Sequence, residues 1–339
     1  MGLMVGSADA RVEQMAREAE EKGLYIVTAS RADLYAMERR VAKGLMVSPC
    51  KGLYMQIDRH NELSPRERSI AAIRTLGTMH PHYVFCSYSA ALLHGLQVSY
   101  ALLDEVHVAA RRNQWRGEHR GLVRFHLVEN DVPVAVQGLR STSLLRTLLD
   151  CMCQAPFRYG LAIVDSALHW QLVSRPQLEA YVAVYGKGRI GISTARRVLR
   201  YCDSRAENGG ESVARATIID LGLMIPELQV EVTDPMNPNV TARVDMFWRL
   251  PDGRIIIGEL DGFVKYRDNP TAGVDEAVRR LTRERRREAH LNLTGATVVR
   301  FSYAEAEDPE YLFKLLTQAG VPLAGSRARG RRRRRDEGA

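Results

Sequence analysis

The chain has 339 residues, 45% apolar and 26% charged, with a formal net charge of +8, which is enough for two or three globular cores. No run of about 18 apolar residues occurs, which excludes a membrane-spanning helix, and Met1 to Asp9 lacks the basic-then-apolar pattern of a secretory leader. Five scattered cysteines (Cys50, Cys86, Cys151, Cys153, Cys202) read as incidental thiols of a reducing cytoplasm, because Cys151-x-Cys153 lacks the second pair a zinc site needs.

From the N-terminus, Val12, Met15, Ala16 and Ala19 repeat at helical spacing and predict a helix over 8–22 that ends at Gly23. A short strand over 24–27 leads to Ser30, which is placed to cap a helix, with Asp33 three residues on completing a capping-box pattern. The helix 32–43 carries Leu34, Met37 and Val41 on one face and Arg31, Arg39, Arg40 and Lys43 on the other. After Gly44, runs at 45–47 and 53–56 flank a turn containing Lys51 and predict a small hairpin. Helix, strand, basic helix and hairpin within 60 residues outline a winged helix-turn-helix, which lays a helix in the major groove and touches backbone with its hairpin. The same pattern also describes an amphipathic helix whose charged face is merely solvated.

Residues 61–202 predict an α+β domain. Helices are expected at 65–76, 89–94, 143–153, 158–169 and 176–184, and strands at 82–86, 105–109, 121–127 and 132–137. His94 and His107 lie in apolar settings and read as satisfied core or edge histidines. The region holds no Gly-rich phosphate loop, nucleophile elbow or metal-spaced histidine pair.

The stretch 203–209 is polar and marks a boundary. A helix at 211–221, a strand at 228–232, a loop at 233–239, a hairpin, a long helix at 275–291 and a strand at 296–303 then describe an α/β sandwich over a mixed sheet. The hairpin joins Arg243–Leu250 to Arg254–Asp261 through Pro251-Asp252-Gly253. With that three-residue turn Leu250 faces Arg254 and Asp245 faces Glu259, and alternation adds Asp261 to the side of Glu259. A four-residue turn would instead part the two acids. Opposed carboxylates cost stability unless neutralised. Mg²⁺, which binds one or two carboxylates and phosphate oxygens, would neutralise them, making Asp245, Glu259 and Asp261 candidate metal ligands. Glu211 is placed to reach the group from the preceding helix, and Lys265 to stabilise charge on a phosphoryl oxygen. Arg279, Arg283 and Arg287 form a stripe suited to nucleic-acid backbone. The competing reading is that Arg243 or Arg300 pairs with the acids and the helix is only solvated. Residues 327–339 hold seven arginines against Asp336 and Glu337, a net +5 that predicts a disordered polybasic tail over 324–339 gripping phosphates without reading sequence.

Two family resemblances attach to these residues. Gly209-Gly210-Glu211-Ser212 with Ala214-Arg215, then Gly222-Leu223, Gln229-Val230, Arg243-Val244-Asp245 and Glu259-Leu260-Asp261-Gly262, resemble a C-terminal domain related to very-short-patch-repair endonucleases. Those belong to the PD-(D/E)XK, restriction-endonuclease-like superfamily. Ser87 to Leu96 and Ser141 to Asp150 look like actinobacterial AbiEi-type antitoxins, winged-helix regulators of type IV toxin–antitoxin systems. The resemblance implies double-stranded DNA and a toxin protein as partners, Asp245 and Glu259 at the metal-ligand positions, and Glu211 as the helix acid. This chain departs from the superfamily at Asp261, which stands where a lysine is usual. Either Lys265 takes over that role, the site works without it, or the domain only binds DNA. The expected protein is a cytoplasmic DNA-binding AbiEi-like regulator, or a nuclease of repair or phage defence, whose nuclease fold would use Mg²⁺ if it cleaves. The alternative is a protein-interaction scaffold whose nuclease fold is catalytically dead.

Overall fold

A computed structural model describes residues 7–110, 119–261 and 289–325, together with Arg279, Thr282 and Arg286. The chain is a multidomain α/β protein that divides into two units, one ending at Cys202 and the other beginning at Asp203. Among the described residues no helix is long and apolar enough to cross a membrane.

The first unit opens with α1 (Ser7–Glu21), β1 (Ile26–Val27), α2 (Arg31–Ala42), β2 (Met46–Cys50) and β3 (Leu53–Gln56). The three strands form an antiparallel sheet in the order β1-β3-β2. Val12 and Ala16 of α1, Met37 of α2, and Ile26, Met46 and Tyr54 of the sheet close one small core, with Leu34 and Val41 packed at its edge. The helical spacing of these apolar residues fixes which face of α2 is buried. Helix α2 ends in a Schellman motif: Gly44 takes the left-handed conformation (φ +70°), its N–H reaches Val41, and the Leu45 N–H reaches Arg40.

Ser30 caps α2 as expected, its hydroxyl accepting from the Asp33 N–H at 3.1 Å. Asp33 does not complete a capping box, however. Its carboxylate, one methylene shorter than glutamate, is held instead by the Ser30 hydroxyl and by Arg11 at 2.7 Å. Replacing Ser30 by alanine therefore removes a cap and the anchor of Asp33. A loss of about 1 kcal/mol from the first unit is expected, read as a lower urea midpoint.

The rest of this unit contains α3 (Ile57–Glu62), α4 (Pro65–Met79), α5 (Ser87–Leu93), β4 (Val106–Ala110), β5 (His119–Arg120), β6 (Val123–Leu127), β7 (Val134–Val136) and β8 (Leu139–Ser141), then α6 (Leu144–Gln154), α7 (Phe157–His169), α8 (Arg175–Tyr185) and α9 (Ile192–Tyr201). Strand β4 runs parallel to β6, which pairs antiparallel with β5, and β7 and β8 form a hairpin. The strand expected over 82–86 shrinks to bridges from Phe85 to Val108 and Ser141, because the chain turns at Ser87 (φ +49°) into α5. His94 donates its Nε2–H to the Thr142 carbonyl (2.9 Å), and buried His107 pairs with His126 at 2.7 Å, so both are satisfied.

The second unit is built on α10 (Gly209–Asp220) and four strands, β9 (Glu227–Asp234), β10 (Asn237–Arg249), β11 (Ile255–Asp261) and β12 (Thr297–Ser302), in the sheet order β12-β11-β10-β9. β9, β10 and β11 form an antiparallel meander, and β12 lies parallel to β11. Residues 289–293 are helical, and helices Tyr303–Glu307 and Pro309–Ala319 follow β12. One face of the sheet presents Leu228, Met246, Trp248, Ile256 and Phe301 to α10 and the last helix. The other presents Val244, Phe247, Ile257 and Val298 to Leu291 and Ala296. The loop expected over 233–239 is only the turn Pro235-Met236, because the Asp234 side chain accepts the Met236 N–H (2.8 Å) and turns the chain at once.

Candidate functional site

The β10–β11 turn has the three-residue geometry that its sequence predicts. The Leu250 N–H donates to Arg254 (2.9 Å), the Gly253 N–H donates to Leu250 (3.0 Å), and Gly253 supplies the left-handed residue (φ +87°). Pairs run from Arg249↔Ile255 to Met246↔Gly258, and the regular ladder ends there, one residue short of Asp245 and Glu259.

Simple alternation, however, fails at this point. On β10, Val244 belongs to one face, yet Met246 and Trp248 belong to the other. On β9, Leu228 and Val230 are likewise split between the faces. The residues between them, Asp245 and Gln229, lie opposite each other according to the pairs on either side. Gln229 has φ +54°, left-handed for a non-glycine residue within a strand, and that backbone breaks the pleat. Backbone strain of this kind costs of order 1–3 kcal/mol and collects at functional sites. Its consequence here is that the Asp245 carboxylate is free of the pleat and accepts the Leu260 N–H at 2.9 Å, beside Glu259.

Glu211 enters from the first turn of α10. Asn208 caps that helix, its side-chain oxygen accepting the Glu211 N–H (3.0 Å), and its amide donates to Glu211 Oε1. The Glu207 N–H (2.9 Å) and the Gln229 amide (3.0 Å) donate to Oε2. Glu211 is 2% exposed. Burial, and after it the negative charges of Asp245 and Glu207, push its carboxyl up to about 7, against the pull of its hydrogen bonds. Carboxyls raised this far are concentrated at functional sites.

The remaining candidates are placed as follows. Glu259 is buried on β11, in register with Arg300 of β12. Asp261 is half exposed and lies 3.9 Å from Arg300. Arg243 pairs with Glu207 (2.5 Å) rather than with either strand acid. Among the described residues no group of three or more His, Cys, Asp or Glu side chains is arranged to hold a metal ion. Glu211, Gln229 and Asp245 are thus brought together, with Glu259 preceding Leu260, whose N–H reaches Asp245, while Asp261 lies toward Arg300. Lys265, Arg283, Arg287 and the Arg-rich tail lie outside the described residues. Arg279 and Arg286 are exposed helical residues. In the first unit Arg31, Arg39, Lys43 and Lys51 are exposed, and Arg40 is half-buried and donates to the Ala36 carbonyl (3.0 Å).

Sequence reasoning missed Asn208 and Gln229 as partners of Glu211. Asn208 had a signal, a capping residue ahead of Gly-Gly-Glu. Gln229 stood only in the family pattern Gln229-Val230, which announces neither a left-handed glutamine nor a contact with Glu211.

No family model matches the chain. Over 120 residues it is 37% identical to a protein of Mycobacterium tuberculosis strain H37Rv and to one of strain CDC 1551 / Oshkosh, each described only as uncharacterized. The match covers 35% of this chain and 42% of each relative, so the chain spans less than half the length of the curated proteins it matches.

Proposed function

We propose that this protein binds double-stranded DNA through an N-terminal winged helix-turn-helix and cleaves it, with Mg²⁺, at a restriction-endonuclease-like C-terminal domain. The observation that carries the reading is the juxtaposition of buried Glu211 with Asp245 where β9 and β10 break their pleat beside Gln229. Strain at Gln229 beside the desolvated acid Glu211 is costly for stability alone, and a cation at Asp245 and Glu259 would offset the negative charge gathered there. The order helix, three-stranded meander, parallel fourth strand also fits the superfamily that the sequence resembles.

The donor set suits a hard cation, since Mg²⁺ takes carboxylate oxygens in ones and twos and completes its shell with water and substrate phosphate. Asp245 and Glu259 would hold it. When bound, such an ion supplies an activated water and neutralises charge on the phosphoryl oxygens. The chain's own residues do the remainder. The Leu260 amide orients Asp245, and Asn208, Gln229 and the Glu207 amide fix Glu211, which holds a proton near neutral pH. Arg31, Arg39, Lys43 and Lys51 present positive charge on the exposed side of α2 and its hairpin for phosphate contact. As an AbiEi-like regulator in the cytoplasm, the protein would answer to a toxin protein, and a nucleotidyltransferase-like reading frame next to its gene is the matching genomic observation.

The direct test incubates the full chain with supercoiled plasmid and Mg²⁺ or Mn²⁺, beside an Asp245→Ala/Glu259→Ala double variant. Nicking or linearisation by the parent, and at least a hundredfold less by the variant, is expected, on the scale of losing a transition-state electrostatic contact (about 10²–10³-fold). DNA binding without cutting by either protein would leave a regulator with an inactive nuclease fold. The hydrogen bonds already occupying Glu211 favour that second reading.

A further inference from the structure

Between Glu179 and Asp203 the chain contains no acidic residue and five basic ones, Lys187, Arg189, Arg196, Arg197 and Arg200. Two of these are committed within the first unit. Arg189 reaches Asp150 at 2.7 Å, and the Arg197 guanidinium lies 3.9 Å from the centre of the Phe157 ring. Lys187, Arg196 and Arg200 are exposed, and among the described residues no ion pair reaches them. Ala195, Val198 and Leu199 are buried, so α9 cannot rotate and its outer face is fixed as Ser193, Arg196 and Arg200.

Two arginines at i and i+4 repel each other and weaken a helix that offers no acidic partner at either spacing. A face kept in that state is complementary to an external polyanion. At 1.5 Å of rise per residue the two side chains are spaced by about 6 Å along the axis, close to two steps of about 3.4 Å along one DNA strand. No large apolar side chain stands among the exposed positions of α9, unlike a helix that inserts into lipid. We infer that the outer face of α9 is a second contact for the phosphate backbone of duplex DNA, distinct from the winged helix. The inference rests on the DNA-binding reading and extends it to an element with no assigned role.

The test is fluorescence anisotropy of the full chain on a duplex of about three helical turns, from 50 to 200 mM salt. It compares the parent with Arg196→Gln/Arg200→Gln, Arg39→Gln/Lys43→Gln and Arg196→Lys/Arg200→Lys, each shown to be folded by circular dichroism. Losing two phosphate contacts lowers the slope of log affinity against log salt by about 1.8. The α9 glutamine variant then loses about 12-fold less affinity than the parent across that range, and the lysine variant restores the parental slope. An unchanged slope and affinity in the α9 glutamine variant, with weakened binding in the α2 variant, would overturn this inference and leave the winged-helix reading standing. No binding by the parent at 50 mM salt would overturn both. Loss of binding to anionic vesicles, with DNA affinity unchanged, would assign the face to membranes and overturn it too.

Discussion

Asp150→Asn lowers the stability of the first unit by about 3–5 kcal/mol, the cost of stranding a buried charge. Asp150 and Arg146 are both about 95% buried, and the Arg146 Nε donates to the two carboxylate oxygens at 2.9 and 3.0 Å. Arg189 adds a third bond at 2.7 Å, and Arg146 also donates to the Glu129 carbonyl. Burial pushes the Asp150 carboxyl up, and the two guanidiniums pull it back. Asparagine keeps the shape but removes the charge, leaving Arg146 in the interior with no counter-ion. Set against a typical total of about 5–15 kcal/mol, the loss is read as a large drop in the urea midpoint. Arg189, more exposed, gives a smaller effect on replacement by glutamine. A double change, Arg146→Met with Asp150→Leu, recovers most of the stability, because removing both charges leaves none unpaired. Equal losses in single and double variants would mean that shape, not charge, holds this core together.

Glu211→Gln has the opposite sign. The Glu211 carboxyl titrates at about 7 in the fold against 4.5 in a free chain, so the native state binds its proton more tightly than the unfolded state does. Below about pH 4.5 both states are protonated and nothing is lost. Between 4.5 and 7 stability falls as pH rises, and above 7 a constant cost of about 3 kcal/mol remains. Glutamine carries no charge at any pH. Its oxygen keeps the Asn208 amide, whose own oxygen stays on the Glu211 N–H, and its amide can meet a turned Gln229 at the expense of the Glu207 N–H bond. Thermal unfolding of the second unit should therefore shift upward in the variant at pH 8, by an amount equivalent to about 1–2 kcal/mol after one weaker hydrogen bond is counted. At pH 4 the variant should be no more stable than the parent. A variant destabilised equally at both pH values would show that the carboxylate is ionised and held by its donors.

Much of the second unit was legible because its signals are local. Pro251-Asp252-Gly253 specifies a loop length, and loop length specifies the register found from Arg249↔Ile255 to Met246↔Gly258. The break in alternation at Gln229 was not legible, since it depends on a backbone conformation that glutamine rarely adopts. The last two helices carried readable caps, Ser302 with Glu305 and Asp308 ahead of Pro309, yet no helix was expected there. In the first unit the core spacing of α1 and α2 was plain. Helix α9 was missed because Gly191, its N-cap, offers no side-chain oxygen and so leaves no start signal. Asp33 misled because a capping box needs the reach of glutamate or glutamine, which aspartate lacks.

Asp245 and Glu259 are proposed to hold together a divalent cation that acts on DNA. Electron paramagnetic resonance of Mn²⁺ titrated into the full chain with duplex DNA at pH 8 tests it most directly. One bound Mn²⁺ per chain is expected, lost in Asp245→Asn/Glu259→Gln while DNA binding persists. Retention of the same Mn²⁺ by that variant, or none bound by the parent, would contradict it.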